Sequence, residues 1–183
     1  EYPEVPVILE EYGSVRACNL VHDDTLDLAL VNMEQYNIDK FHHALLANDQ
    51  VVFCVSKEHP LVRKEEATIQ DMAQIPLIFF NGDSVQNQLL KIRFELEGFT
   101  PHVLMHNSQI YTTLQFLKNN NCGCFLYSSM TDKFPDIVQL PLKPPLFIKI
   151  GMIWKKGKYI SNDMQTFLNF TRKYYKDHPL IKE

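Results

Sequence analysis

The sequence predicts an α/β fold in which two lobes are joined by two long strands. Segments typical of strands alternate with segments typical of helices along most of the 183 residues, which is the pattern of a sheet covered by helices. Several strand segments contain unbroken apolar runs, such as LALV at residues 28–31, as expected of strands that are buried on both faces. Two longer segments, VVFCVS at residues 51–56 and FIKIGMIW at residues 147–154, separate the alternating groups and predict the connections between the lobes.

Those two long segments also predict where the lobes divide. Lobe I is expected to comprise residues 1–55 and 153–183, and lobe II is expected to comprise residues 56–152. The residues expected at the hinge are those at which the long strands leave one lobe, namely Val55, Ser56, Gly151 and Met152.

The first lobe begins with a segment in which Val5, Val7 and Leu9 alternate with other residues, which predicts a strand. Ser14 then stands where a helix N-cap is expected, ahead of the apolar face of a predicted helix. Together with the strand at residues 26–31, these segments have the length of a βαβ unit. We therefore expect parallel strands at the start of the chain.

Five residues predict helix boundaries in the rest of the chain. Thr68 and Asp71 have the spacing of a capping box at the start of a short helix. Ser108 and Ser161 are expected to cap two further helices. Gly98 is expected to end the helix before it in a left-handed conformation.

Composition and charge exclude several classes of protein. The formal net charge is −4, from 18 Lys and Arg against 22 Asp and Glu, and basic clusters such as WKKGKY are short. A phosphate-binding surface needs a concentrated excess of Lys and Arg, so the chain itself is not expected to bind DNA. No apolar run in the sequence approaches the roughly 18 residues that cross a bilayer, so no membrane partner is expected.

The four cysteines are expected to be buried residues with free thiols, because each lies in an apolar stretch and none forms a Cys-x-x-Cys motif. Free thiols favour a reducing compartment, and therefore a cytoplasmic location. Cys122 and Cys124 would share one face of a strand, which leaves a redox or metal-binding role as the alternative. His102 and His106 would share one strand face, and His42 and His43 are adjacent, but neither pair has a nearby carboxylate cluster, so no metal site is expected.

Small polar residues follow four of the predicted strands, and they are the candidates for ligand binding, because ligands lie beyond the carboxyl ends of strands in open α/β sheets. The candidates are Asn32, Asn81, Gly82, Asp83, Ser84, Ser108, Gln109 and Ser128. Ser84 and Ser108 can also be helix caps, and Asn32 can be a turn residue. Asp83 would repel a purely anionic ligand. Asp27, at the start of the strand that ends at Asn32, is expected to stay in solvent.

The sequence contains no recognisable catalytic site. We find no nucleophile with a neighbouring base, no phosphate-binding loop and no pair of carboxylates at strand ends. The sequence therefore predicts a protein without enzymatic activity and without a cofactor.

Five sequence segments in a fixed order resemble one family. YPEVPVILEE and LDLAL open the series, HPLV at residues 59–62 follows the first long strand, NSQIYTTLQFLKNNNCGCFLYS comes next, and WKKGKYISNDMQTFLNF closes it. The series resembles the effector-binding domain of LysR-type transcriptional regulators and covers nearly the whole chain. Two positions differ from the family pattern, with Asp24 where a glycine is usual and Ser128 where a proline is usual.

The resemblance implies a periplasmic-binding-protein-like fold of type 2 that binds a small-molecule metabolite effector between its lobes. It implies that the match begins after the first strand and helix of the domain, and after the winged helix-turn-helix through which the family binds DNA. It also implies a cytoplasmic homodimer or tetramer, and we expect a chain without that first strand to associate more readily. The alternatives are an extracytoplasmic solute-binding protein of the same fold and an enzyme on the same frame.

Overall fold

The computed structural model describes residues 5–34, 37–119, 121–131 and 133–180. Its helices are α1 (Ser14–His22), α2 (Ile69–Met72), α3 (Val85–Leu96), α4 (Ile110–Asn119), α5 (Ser128–Thr131) and α6 (Asn162–Asp177). Its strands are β1 (Leu28–Asn32), β2 (Phe41–Ser56), β3 (Ala67–Thr68), β4 (Leu77–Phe79), β5 (Val103–His106), β6 (Gly123–Tyr127) and β7 (Ile137–Lys155). Among the described residues, no helix is both long and apolar enough to cross a membrane.

These elements form two compact units. The first comprises Glu1–Ala47 and Lys149–Glu183, and the second comprises Asn48–Ile148. The chain passes from one unit to the other inside β2 and again inside β7. The crossing in β7 lies within the selected segment at residues 147–154, whereas the crossing in β2 precedes the selected segment at residues 51–56. The lobe boundaries at residues 55/56 and 152/153 stay a prediction, and so do the hinge residues named with them.

In the first unit, α1 and α6 pack on opposite faces of the sheet. β1 pairs antiparallel with the end of β7. Ile153 of β7 packs against Cys18 of α1. Its neighbours Met152 and Trp154 point to the other face, where they pack against Leu168 of α6. The strand therefore contributes alternate side chains to two apolar layers, as its period of two residues requires.

The strand predicted around Val5, Val7 and Leu9 is wrong. Residues 5–13 contain no strand, and the side chains of Val7, Ile8 and Leu9 are 57%, 89% and 86% exposed. β1 lies at the end of its sheet, and its described partner is the antiparallel β7. An extended segment becomes a strand only where a neighbour completes its backbone hydrogen bonds. The parallel βαβ pairing predicted here therefore does not form among the described residues.

The second unit is built around β6, which pairs antiparallel with β2 and parallel with β4, and β4 in turn pairs parallel with β5. On one face of these strands, the ring of Phe125 lies 5.5 Å from that of Phe53 and 5.3 Å from that of Phe79. Gly123 makes room for this cluster, because a Cβ there would overlap the ring of Phe53. The other face packs against α4.

Most of the predicted local signals are confirmed. Thr68 and Asp71 form a reciprocal capping box at the start of α2. The Ser161 hydroxyl accepts the backbone N–H three residues later at 3.1 Å and caps α6. Gly98 has a φ of 75°, and Asp24, where the family pattern has glycine, has a φ of 61°.

The caps predicted at Ser14 and Ser108 are wrong. The N-cap of α1 is Gly13, and α4 begins at Ile110. Both hydroxyls instead accept the backbone N–H of a residue that is distant in sequence, at 3.0 Å for Ser14 and 3.3 Å for Ser108. These two serines therefore connect separate segments of the chain and do not act as helix N-caps.

Candidate functional site

Asn32, the last residue of β1, is a buried polar residue with an unsatisfied donor. Its backbone N–H donates to Ser14 Oγ at 3.0 Å, and its Oδ1 accepts the N–H of Glu34 at 3.0 Å. Its Nδ2 has no hydrogen-bond partner among the described residues, although the residue is only 6% exposed. A buried donor without a partner costs about 1–3 kcal/mol, so this position favours an acceptor supplied from outside the chain.

Ser14 belongs to the same group, and sequence reasoning assigned it only to helix capping. The residue lies at the start of α1, and its hydroxyl holds the end of β1. A serine at a helix start predicts a cap, and the 18-residue separation from Asn32 leaves no local signal of the contact. Asp27, at the other end of this strand segment, is solvent-exposed as predicted and pairs with Lys158 at 2.9 Å.

The second unit has a polar edge where three parallel strands end. Because β4, β5 and β6 run in the same direction, their carboxyl ends lie at one edge of the sheet. The predicted candidates that follow these strands are Asn81, Gly82, Asp83, Ser84, Ser108, Gln109 and Ser128. The topology therefore brings together the candidates of the second unit, while Asn32 belongs to the first.

The turn at residues 81–84 leads into α3 and carries one charged residue, Asp83. Ser84 is the N-cap residue of α3, but its side chain makes no capping hydrogen bond in the described structure. The N–H of Asn81 donates to Ser108 Oγ at 3.3 Å, and its carbonyl accepts the N–H of Ser84 at 3.1 Å. A side chain at Gly82 would meet nothing within 4 Å. Packing therefore does not require a glycine there, and the surface above it is open.

Two buried amides at the start of α3 were missed by the sequence analysis. Gln86 and Asn87 are 1% and 2% exposed. Gln86 Nε2 donates to the carbonyl of Phe125 at 3.1 Å, and Asn87 Nδ2 donates to the carbonyls of Phe80 and, at 3.0 Å, of Asn81. The side-chain oxygens of both residues lack partners among the described residues. The apolar stripe that predicts a helix does not reveal such amides, because Gln86 and Asn87 lie at positions between the apolar residues of the stripe.

Asn107 organises the loop between β5 and α4. Its Oδ1 accepts the N–H of Gln109 at 3.0 Å, and its Nδ2 donates to the carbonyl of Gln109 at 3.0 Å and to Thr113 Oγ1 at 3.2 Å. The side chain of Gln109 is exposed. Asn107 therefore positions the backbone of this loop and leaves the Gln109 side chain facing solvent.

Ser128 and Ser129 follow β6, and both hydroxyls are engaged. Ser128 Oγ donates to Gln139 Oε1 at 3.1 Å, and Ser129 Oγ donates to Asp49 Oδ2 at 2.6 Å. Asp49 is a fully buried carboxylate that sequence reasoning did not select. It lies inside a strand, where an acidic residue has no motif to identify it.

All four cysteines are buried and free. Burial raises the pKa of the Cys18 thiol to about 11 and also raises the pKa of Cys122. Cys54 lies directly opposite Cys124 on the paired strands β2 and β6, and a hydrogen bond between their thiols, with burial, raises the pKa of Cys124. In the described part of the chain, no group of three or more His, Cys, Asp or Glu residues could hold a metal ion.

The sequence model of the LysR substrate binding domain matches residues 1–176. The chain belongs to this family. A relative of this LysR domain is the "uncharacterized HTH-type transcriptional regulator YwbI" of Bacillus subtilis (strain 168), which is 27% identical over 180 residues, or 96% of the chain. The chain spans 59% of the length of that relative.

Solved structures of LysR proteins have the same fold. The regulatory domain of CcmR from Synechocystis PCC6803, in complex with 2-PG, has a TM-score of 0.86 at 17% identity, over 97% of this chain and 87% of that one. The effector binding domain of QuiR, in complex with shikimate, has a TM-score of 0.78 at 19% identity, over 91% and 80%. The LysR domain therefore has the periplasmic-binding-protein-like fold of type 2, and the fold class predicted from the sequence is confirmed.

Proposed function

We propose that this LysR domain binds a small polar metabolite as an effector and regulates transcription through a DNA-binding domain of a longer protein. The observation that carries the proposal is the buried Asn32 Nδ2, which has no partner among the described residues at the end of β1. Family membership favours a regulator over a solute-binding protein or an enzyme of the same fold. The two ligand-bound neighbours show that small molecules occupy this fold in other proteins.

The chemistry of the candidate residues favours a ligand that both accepts and donates hydrogen bonds. In the second unit, Gln86 and Asn87 have acceptor oxygens without partners among the described residues. The hydroxyl of Ser84 and the amide of Gln109 add groups that can do either. The carboxylate of Asp83 disfavours a strongly anionic group beside the turn at residues 81–84. A hydroxylated acid or polyol fits this set better than a dianion.

The proposed mechanism is a shift between conformations. A ligand changes a conformational equilibrium only by as much as its affinity differs between the two states. We propose that the effector favours one state of this domain, and that the crossing strands β2 and β7, with Val55, Ser56, Gly151 and Met152, take up the change. The partners in this proposal are a second copy of the chain, as a homodimer or tetramer, and DNA contacted through a helix-turn-helix. The free thiols favour a cytoplasmic location.

A thermal-shift panel of hydroxy acids, polyols and phosphorylated acids, including shikimate, tests this function. A ligand at 100 times its dissociation constant adds about 2.7 kcal/mol to the free energy of unfolding, so a binder raises the melting temperature. We expect Asn32→Ala to abolish the shift. The matched control is Asn119→Ala, which removes an exposed amide that bonds to a carbonyl within α4 and should leave the shift intact. An unchanged shift in Asn32→Ala would contradict the proposed site.

A further inference from the structure

The short helix α5 (Ser128–Thr131) is held by side chains from two different strands. Asp49, from β2, bonds to Ser129, and Gln139, from β7, accepts from Ser128 and Thr131. Both strands continue from the second unit into the first. α5 is therefore bonded to both of the strands through which the chain connects its two units.

The bond to β2 is made by a buried carboxylate. Asp49 is 0% exposed, and its Oδ2 accepts the Ser129 hydroxyl at 2.6 Å. Its Oδ1 accepts the N–H of Gln50 at 2.7 Å and that of Ser129 at 3.4 Å. Over the described ranges of the chain, no ion pair involves Asp49. A buried carboxylate without a cation depends on its hydrogen bonds, so Ser129 cannot leave Asp49 without a large cost in free energy.

The bond to β7 is made at the surface, by the neutral amide of Gln139 and not by a buried carboxylate. Gln139 is exposed, and its Oε1 accepts from Ser128 Oγ at 3.1 Å. The single proton of Thr131 Oγ1 is shared between Gln139 Oε1 and the carbonyl of Ser128, each at 2.8 Å. A serine hydroxyl carries one proton. Ser128 can therefore donate to Gln139 or to a bound ligand, but not to both.

We propose that α5 is a latch whose strong side holds β2 and whose weak side holds β7 less firmly once a ligand takes the Ser128 proton. The ligand step rests on the proposed function, whereas the coupling of β2 and β7 through α5 does not. Asp49 and Gln139 are the positioning residues of this latch, since they act through the α5 serines. When a ligand acceptor takes the Ser128 proton, the bond from Ser128 to Gln139 of β7 is lost, while the bond from Ser129 to Asp49 of β2 remains.

Hydrogen exchange of the full chain tests the latch without any ligand. Gln139→Ala should speed the exchange of the amides of residues 128–131 by about tenfold, as expected when hydrogen bonds worth roughly 1.4 kcal/mol in total are lost. Asp49→Asn should in turn speed exchange in residues 137–140 of β7, although the described side-chain bonds of Asp49 go to Gln50 and Ser129. Because β2 and β7 are also neighbours in the sheet, α5 carries this effect only if Ser129→Ala, which leaves the sequence of both strands unchanged, produces it too. Asn119→Ala is the control, because it removes an exposed side-chain hydrogen bond within α4 of the same unit and touches neither strand.

Three further variants separate the latch from a merely local structural role. Ser129→Thr keeps the hydroxyl and should retain the exchange pattern of the wild type, whereas Ser129→Ala should reproduce that of Asp49→Asn. Ser128→Ala imitates the loss of the proton to a ligand and should speed exchange in β7 while leaving Gln50 protected. The proposal is overturned if each substitution changes exchange only in its own strand. Because no ligand enters these measurements, the latch and the proposed function can fail independently.

Discussion

The backbone N–H of Asn32 donates a 3.0 Å hydrogen bond to the side-chain oxygen of Ser14. This bond ties the last residue of β1 to the first residue of α1, and it leaves the side-chain amide of Asn32 buried beside the start of a helix. Helix starts carry a partial positive charge that favours ligand acceptors. The pair therefore has both a structural bond and a buried donor, Asn32 Nδ2, that lacks a partner within the described part of the chain.

Ser14→Ala should reduce both stability and ligand response. The change leaves the Asn32 N–H without its partner and should lower the free energy of unfolding by about 1–3 kcal/mol, measured by urea denaturation. It should also weaken the thermal shift produced by a ligand from the panel. The matched control is Ser161→Ala, which removes the cap of α6, lowers stability by about 1 kcal/mol and should leave the ligand response unchanged. Equal ligand responses in the two variants would count against a site at Ser14.

Gly151→Ala should destabilise the first unit. An added Cβ would overlap Met33 Sδ and come within 3.0 Å of the Ala44 carbonyl oxygen, so the variant should lose about 1–3 kcal/mol of unfolding free energy. Gly82→Ala is the control, since that Cβ meets nothing within 4 Å and should change stability by less than about 0.5 kcal/mol. Combining Gly151→Ala with Met33→Ala should recover part of the loss. A single variant as stable as Gly82→Ala would show that Met33 moves aside freely.

His59 should make stability depend on pH. Burial lowers the pKa of His59, whose Nδ1 accepts the N–H of Leu61 at 3.1 Å. The unfolded chain therefore binds a proton more readily than the folded chain. The stabilisation is present above the unfolded pKa of about 6.5 and is lost as the pH falls below it toward the folded pKa. His59→Gln should flatten this part of a pH series of urea midpoints, whereas His102→Gln, at an exposed position, should not. Parallel pH curves for all three proteins would exclude His59 as the cause.

Asp136 should contribute stability that disappears only in strong acid. Lys118 and Lys57 lie 2.6 and 2.8 Å from its two oxygens, and these lysines lower the pKa of Asp136 to about 2. The stabilisation is complete above about pH 4 and is lost as the pH falls toward 2. Asp136→Asn should therefore lower the melting temperature at pH 7, and the difference from the wild type should shrink at pH 2. Asp39→Asn serves as the control. A difference that persists at pH 2 would mean that the ion pairs are not its source.

The sequence predicted those parts of the fold that depend on local chemistry. The capping box of Thr68 and Asp71 and the cap at Ser161 use contacts only three residues apart, and Gly98 needs only its own backbone freedom. The strand predicted at residues 5–9 does not form. Alternating apolar residues indicate which face of a strand would be buried, but they do not show whether a neighbouring strand is present to pair with it. Family motifs in a fixed order predicted the whole fold, which no single segment did.

The sequence predicted which strand ends carry polar residues, but it did not predict the buried polar groups beside them. Placing polar residues at strand ends located the edge that carries Asn81 and Ser108, because parallel strands end together. The sequence analysis did not select the buried residues Gln86, Asn87 and Asp49, because amides and carboxylates inside helices and strands ordinarily face solvent. Their partners are 39 residues away for Gln86 and 80 for Asp49, and no local pattern encodes such contacts.

The rate at which the four buried thiols react can report how often the folded protein opens. A thiol reagent attacks the thiolate, and burial both shields Cys18 and Cys122 and raises their pKa. In native buffer, the reagent can therefore modify these thiols only after the surrounding structure has opened. Cys18 lies in the first unit, whereas Cys54, Cys122 and Cys124 lie in the second, so the modification of each measures how often its own unit opens.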